Sequence, residues 1–124
     1  MAQSENARLI GMIGEAVAER YLSDAGLILI ERNWRCDEGE IDLIFKDRDG
    51  ENSGEIVFVE VKSRSTARFG VGSEAITAEK YRRLHRLAVR WCRSRSIAAH
   101  YRIDVISIDS LVLPELTHLK RVIL

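Results

Sequence analysis

Apolar residues recur at three- and four-residue steps near the start of the chain, which is the spacing of one helix face. The residues in this pattern are Ile10, Ile13, Val17 and Tyr21. They predict a helix that Ser4 caps and that runs to about Ala25, where Gly26 ends it. A second helical pattern covers about residues 78–95, with Thr77 in the capping position.

The second predicted helix carries apolar and basic residues on opposite sides. Its apolar side consists of Tyr81, Leu84, Leu87, Ala88, Trp91 and Cys92, and its other side of Arg82, Arg86, Arg90 and Arg93. The apolar side is expected to pack on a sheet. Because Trp91 belongs to that side, packing in the core is favoured for it over stacking on a nucleic-acid base.

Five segments have the composition and patterning of β-strands. They are residues 27–34, 40–46, 55–62, 101–108 and 116–124. Turn-prone residues at 37–39 and 47–50 separate the first three segments, and Pro114 prevents helix formation before the last. The order helix, three strands, helix, two strands predicts a single α/β domain over residues 1–124, with a central sheet flanked by helices.

Composition places the chain among globular proteins of one domain. It has 124 residues, of which 46% are hydrophobic and 31% charged. No apolar run approaches the roughly 18 residues that span a bilayer, and the N-terminus lacks a secretory pattern. Cys36 and Cys92 are the two cysteines and form no CxxC pair, so no disulfide framework or zinc site is predicted. These features predict a cytoplasmic protein with no membrane partner.

The zero net charge conceals a strong asymmetry between the two halves. Residues 1–60 carry 14 acidic and 6 basic side chains, whereas residues 61–124 carry 5 acidic and 13 basic ones. Such segregation is compatible with an anionic partner beside a carboxylate cluster that holds a cation. Charge alone slightly favours the alternative of two oppositely charged surfaces that are solvated or paired with each other.

Glu60 and Lys62 share one face of the third predicted strand, because side chains alternate along a strand, and three valines take the other face. A carboxylate and an ammonium at the end of an apolar strand lose hydration energy unless other groups pair with them. If the second and third strands form a hairpin, Asp42 approaches Glu60. Two adjacent carboxylates repel each other, and a divalent cation relieves that repulsion.

This arrangement suits metal-dependent hydrolysis of a phosphodiester bond. Carboxylate oxygens select hard cations such as Mg²⁺ or Mn²⁺, which polarise a phosphate and help to ionise water. A neighbouring lysine can orient or activate that water. A Glu-x-Lys motif alone is more typical of a surface ion pair. The carboxylate on the preceding strand is what favours an active site formed by Asp42, Glu60 and Lys62.

Residues 39–44 and 58–64 resemble the PD-(D/E)xK nuclease signature, although no proline precedes Asp42. Together with residues 11–18, residues 32–36 and the loop that leads from Phe69 to Lys80, they resemble the YraN-type family of bacterial proteins, which is similar to archaeal Holliday-junction resolvases. The resemblance covers about residues 8–110. It implies a restriction-endonuclease-like fold, with a mixed central β-sheet between α-helices.

The same resemblance implies roles for individual residues. Asp42 and Glu60 would be metal ligands and Lys62 the catalytic lysine. Glu15 would match a glutamate that resolvase-like proteins place on the first helix near the metal, although a solvent-facing glutamate fits its helix position equally well. Glu40 is a reserve ligand, for which solvation at the strand end is the favoured interpretation.

Five basic residues are candidates for binding nucleic acid through its phosphates. They are Arg64 and Arg68 after the lysine of the motif, Lys80 at the start of the second helix, and Arg86 and Arg90 along it. The competing interpretation of the helix arginines is a solvated face.

Two functions follow from these observations. The first is a Mg²⁺- or Mn²⁺-dependent endonuclease that acts on branched or otherwise structured DNA, as a homodimer if it cuts two strands. The second is an inactive nucleic-acid-binding or assembly module that keeps the nuclease fold. The set of Asp42, Glu60 and Lys62 favours the enzyme, because a pure binder gains little from carboxylates that face phosphate.

Overall fold

The computed structural model describes residues 2–49, 54–64, 76–97, 100–109 and 115–123. Within these ranges, helices and strands follow one another in the order that the sequence predicts. The elements are α1 (Ala2–Asp24), β1 (Ile28–Cys36), β2 (Gly39–Asp47), β3 (Glu55–Arg64), α2 (Ala78–Ser94), β4 (Tyr101–Asp109) and β5 (Glu115–Leu119).

The strands form one open sheet in the order β1-β2-β3-β4-β5. β3 and β4 are parallel, and the other neighbouring strands are antiparallel. A parallel pair requires a long crossover connection, and α2 lies in that connection. The structure therefore confirms an α/β fold with a mixed central sheet.

The two helices cover opposite faces of the sheet. On the α1 face, Leu22 packs with Phe45 and Val59 in one cluster of buried residues. On the α2 face, Trp91 is fully buried and meets Phe58 edge to face, with 5.6 Å between the ring centroids. Burial of large apolar side chains on both faces holds each helix against the sheet. None of the helices described is long and apolar enough to cross a membrane.

Local backbone chemistry defines one end of each helix, as the sequence predicts. Gly26 follows α1 and has a φ of +99°. The Leu27 N–H donates a hydrogen bond to the Leu22 carbonyl at 3.1 Å. This geometry is typical of a helix that a glycine terminates. At the start of α2, the Thr77 side chain accepts a hydrogen bond from the Lys80 N–H at 3.1 Å. This cap holds the backbone of the first turn of α2 in place.

Two predicted boundaries are wrong. α1 begins at Ala2, so Ser4 lies inside the helix and does not hold the extended backbone that a capping residue needs. β5 ends at Leu119 and does not continue to residue 124. Two residues later Arg121 has a φ of +50°, in the left-handed region, which turns the chain away from an extended path.

Candidate active site

Asp42 lies where β2 and β3 separate. The antiparallel pairing between the two strands ends at Leu43, which lies opposite Val59. Asp42 is the residue of β2 just before Leu43, and it lies beyond the paired region. Its Oδ2 accepts a hydrogen bond from the Val61 N–H at 2.8 Å. Ile41 packs in the α2-side cluster and Leu43 in the α1-side cluster, so the alternation of side chains along β2 is interrupted at Asp42. This irregularity directs a carboxylate toward the end of β3.

Asp42 and Glu60 form a carboxyl pair in a largely buried position. Their charges interact, and their exposed fractions are 8% for Asp42 and 11% for the Glu60 side chain. Burial and the nearby charge of Glu60 raise the pKa of Asp42 to about 8. Two buried carboxylates repel each other, so Asp42 keeps its proton to a higher pH than an exposed carboxyl group does.

The raised pKa of Asp42 makes the stability of the metal-free protein depend on pH. Asp42 holds a proton more tightly when folded, with a pKa of about 8, than when unfolded, where 3.8 is usual. We therefore expect the free energy of unfolding to fall as pH rises from about 4 to 8, by at most about 1.4 kcal/mol per pH unit for one proton. Asp42→Asn should remove this slope in urea unfolding followed by circular dichroism. Asp49→Asn, in an exposed turn, is the control, and an unchanged slope in Asp42→Asn would contradict the assignment.

Two lysines face the carboxyl pair, one from β3 and one from α2. Lys80 Nζ lies 3.3 Å from Glu60 Oε2, and the Lys80 and Lys62 side chains hydrogen-bond to each other. Burial and the hydrogen bond from Lys80 lower the pKa of Lys62. Burial also opposes the charge of Lys80, but the hydrogen bond to Lys62 and the charge of Glu60 outweigh it and raise the pKa of Lys80. Lys62 is therefore the lysine that loses its proton first, and its neutral amine can accept a proton from water.

Glu15 approaches the same end of the sheet from α1. Its side chain hydrogen-bonds to Asn33 of β1. Burial and repulsion by Glu40 raise the pKa of Glu15, and Glu60 adds a smaller repulsion. Glu15 in turn contributes to the raised pKa of Asp42 through its charge. The structure thus brings Glu15 within electrostatic range of Asp42 and Glu60, both of which also interact with Lys62.

A close contact between α1 and β3 positions Glu15. A Cβ atom placed on the preceding residue, Gly14, would lie 1.7 Å from Ser63 Oγ and 2.8 Å from Ser63 Cβ. Contacts this short do not occur between real side chains, so only glycine lets α1 come this close to the end of β3. The position of Glu15 on the helix fits both a residue near the site and a solvent-facing residue. The contact of Gly14 with Ser63 favours the first, because it holds this part of α1 against the end of β3.

Asp42, Glu60 and Lys80 line a cavity of about 340 Å³ between β2, β3 and α2, whereas Glu15 lines a separate cavity on the α1 side. The lining residues of the first cavity are Gly39, Glu40, Asp42, Glu60, Lys80, Arg83 and Leu84. Because a water molecule takes up about 30 Å³ in the liquid, the cavity has room for a hydrated cation and a phosphate group. Sequence reasoning missed Arg83, although its spacing of three residues from Lys80 places both on one side of a helix.

Glu40, the reserve ligand, lies at the outer part of this cavity. Its side chain is 42% exposed, and its Oε2 lies 2.8 Å from Arg35 Nε. An exposed carboxylate with an arginine partner keeps most of its hydration. The geometry agrees with the strand-end solvation that the sequence favours for Glu40.

The helix arginines predicted to bind phosphate contact acidic residues of the β1–β2 turn. Arg90 Nη1 pairs with Asp37 Oδ1 and lies 2.9 Å from Glu38 Oε1. Arg86 Nε lies 3.9 Å from Glu38 Oε2. These contacts match the alternative in which oppositely charged surfaces pair with each other.

The remaining candidates for binding nucleic acid fall in different places. Lys80 lies inside the cavity, beside Glu60. Arg64 is the last residue of β3, opposite Asp109 of β4. Arg68 lies outside the described residues.

A second charged cluster lies at the opposite end of the sheet, and sequence reasoning did not find it. Arg102 Nη1 lies 3.0 Å from Asp47 Oδ2 and 3.2 Å from Glu55 Oε1, and Arg102 Nε lies 3.0 Å from Asp104 Oδ1. His118 Nε2 is 2.8 Å from Asp104 Oδ2. The available signal was the alternation of Arg102 and Asp104 with apolar residues in β4. Because these charges pair with one another, we interpret the cluster as structural.

Comparison with known proteins places the chain among relatives along most of its length. A family model described as "Uncharacterised protein family UPF0102" matches residues 14–108, a range that contains the candidate site. A UPF0102 protein from Paenarthrobacter aurescens is 42% identical in an alignment of 117 residues that covers 92% of this chain and 93% of the relative. One from Beutenbergia cavernae is 50% identical in an alignment of 100 residues that covers 80% of each chain. One from Mycolicibacterium vanbaalenii is 42% identical in an alignment of 125 residues that covers 98% of this chain and 99% of the relative.

Proposed function

This chain belongs to the UPF0102 family, and we propose that it is a metal-dependent endonuclease of the PD-(D/E)xK type, with a restriction-endonuclease-like fold. Its substrate is DNA, in branched or otherwise structured form. The observation that carries the proposal is the buried carboxyl pair of Asp42 and Glu60 in a cavity that also contains basic side chains. A structural ion pair does not require two neighbouring buried carboxyl groups.

The donor set fits a hard divalent cation such as Mg²⁺ or Mn²⁺. Asp42 and Glu60 supply adjacent carboxylate oxygens, and Glu15 on α1 adds negative charge nearby. When bound there, the cation supplies Lewis-acid activation of the phosphate and of water.

Lys62 is the residue that we assign to the attacking water. Its side chain lies beside the carboxyl pair, and its lowered pKa gives it a neutral amine more readily than an ordinary lysine. A neutral amine accepts a proton from water as the water oxygen bonds to phosphorus, while the bond from phosphorus to the leaving sugar oxygen breaks and that oxygen takes a proton from solvent. The resulting ammonium faces the negative charge that develops on the phosphate. One side chain can therefore serve first as a base and then as an electrostatic partner.

Lys80 and Arg83 are the groups that we assign to the phosphate. Both line the cavity from the first turns of α2, on the side opposite the carboxylates of β2 and β3. Cationic donors held in a partly buried cavity stabilise an anion more strongly than the same groups in open water. They bind phosphates without reading base sequence, which agrees with recognition of DNA structure.

The test is cleavage of linear, single-stranded, flapped and four-way DNA, with Mg²⁺, with Mn²⁺ and with a chelator. We expect cleavage only with a cation, and fastest on a branched form. Cutting both strands of a junction would require two active sites, so we expect the active species to be a homodimer. If the protein binds these DNA forms and cuts none of them, the nuclease proposal fails and the inactive nucleic-acid-binding module takes its place.

A further inference from the structure

We propose that Lys80 acts as a built-in counter-cation of the carboxyl pair, which a divalent cation displaces so that the lysine becomes a ligand of the substrate phosphate. The inference rests on the proposed function, because it concerns the same cavity, and it adds an order of binding. The cation binds first and creates the phosphate site. The phosphate binds second.

The Lys80 ammonium occupies the place that a cation bound to Glu60 would need. Its Nζ is 3.3 Å from Glu60 Oε2, and the two side chains are 25% and 11% exposed. A divalent cation bound to Glu60 would lie about 2.0–2.6 Å from a carboxylate oxygen. Two cations at these distances from one carboxylate repel each other strongly in a partly buried site. The ammonium and the divalent cation therefore compete for Glu60.

Once it is displaced, the Lys80 ammonium can move away from Glu60 while the backbone stays in place. The Thr77 side chain accepts a hydrogen bond from the Lys80 N–H, so the backbone is anchored and the movement is confined to the side chain. A lysine side chain has four flexible methylene groups. Arg83 lines the same cavity one helical turn further along α2. When Lys80 leaves Glu60, the two cations together form an anion site at the N-terminal end of a helix, where the helix dipole also favours an anion.

Removing Lys80 should change the affinities for the divalent cation and for DNA in opposite directions. Without Lys80, the cation has no internal competitor and should bind more tightly. DNA should lose the part of its affinity that depends on the cation, because the lysine that the cation releases is missing. A lysine that served only to bind phosphate would affect DNA binding and leave the affinity for the cation unchanged.

The experiment measures Mn²⁺ binding to the full chain by isothermal titration calorimetry, without DNA. We expect Lys80→Met to bind Mn²⁺ about three- to tenfold more tightly than the wild type, the scale of one lost partly buried ion pair. Lys80→Gln should do the same, and it replaces Lys80→Met if that variant does not fold. Arg82→Met removes the same charge from the same helix outside the cavity lining and should leave Mn²⁺ affinity unchanged.

The second readout is binding of a fluorescent four-way DNA junction with and without Ca²⁺. Ca²⁺ should increase the affinity of the wild type and have little effect on Lys80→Met. If the wild type binds Mn²⁺ and neither Lys80 variant binds it more tightly, the counter-cation role is overturned and the nuclease proposal stands. If the wild type binds no divalent cation, the metal site is overturned, and the role of Lys80 with it.

Discussion

Lys62→Met is expected to reduce metal-dependent cleavage about 10²–10⁴-fold, the usual loss when a positioned proton-transfer group is removed. This corresponds to about 3–5 kcal/mol of activation free energy. The methionine keeps the length and much of the volume of the lysine, and the contact between Lys80 and Glu60 does not involve residue 62. Binding of Mn²⁺ and of DNA should therefore change little. The measurement is a single-turnover rate on the best-cleaved DNA form, with binding measured separately.

Two further variants show whether the loss of cleavage is specific to removal of the Lys62 amine. Lys46→Met removes a lysine from the opposite end of β2, where the side chain is exposed, and should cleave like the wild type. Glu60→Gln should also abolish cleavage, but by weakening Mn²⁺ binding, because a neutral amide is a poorer ligand for a hard cation. Cleavage by Lys62→Met within a few-fold of the wild-type rate would remove Lys62 from the mechanism.

Arg102→Met is expected to lower the free energy of unfolding by about 3–5 kcal/mol. The Arg102 side chain is 4% exposed and contacts three carboxylates, of which those of Asp104 and Glu55 are fully buried. Removing the guanidinium leaves these buried negative charges with fewer partners, which costs far more than the loss of an exposed ion pair. The measurement is urea unfolding at neutral pH, monitored by circular dichroism.

The matched control for Arg102 is another arginine that pairs with an aspartate. Arg20 and Asp24 form an exposed pair one turn apart on α1, so Arg20→Met should change the free energy of unfolding by less than about 0.5 kcal/mol. A loss below about 1 kcal/mol in Arg102→Met would mean that the buried carboxylates are protonated or hydrated instead of paired. Cation binding and cleavage should persist in whatever fraction of Arg102→Met is folded, because the cluster lies at the far end of the sheet from Asp42.

The order and type of the elements could be predicted because each depends on interactions between near neighbours in the chain. Thr77 and Gly26 act within one helical turn, and the apolar spacing of α2 identifies the face that buries Trp91. Ser4 is an exception, because a residue suited to capping forms no cap when the helix begins before it. The resemblance to the YraN-type family is confirmed by the UPF0102 match, which covers the same part of the chain.

The candidate site could be predicted only as far as strand geometry extends. Alternation along β3 places Glu60 and Lys62 on one face, and the hairpin of β2 and β3 brings Asp42 near them. The interruption of β2 at Asp42 depends on the packing of both neighbouring residues, which the pattern of the strand does not contain. The docking of α1 against Ser63, which positions Glu15, depends on a contact across 49 positions of the sequence.

The sequence by itself determined the α/β order of elements, the buried face of α2 and the position of Glu60 and Lys62 on one face of a strand, because spacing and local hydrogen bonds decide these features. The predicted apolar face of α1 is wrong in part, since Ile13 and Tyr21 are 48% and 37% exposed and Ala18 and Leu22 are buried against the sheet instead. Tertiary structure alone decided which charges meet. The contact of Lys80 with Glu60 and the burial of Arg102 among carboxylates join elements far apart in the chain. Electrostatic energy depends on distance and burial in space. Residue spacing along a chain therefore cannot show whether a charge belongs to the site, to the core or to solvent.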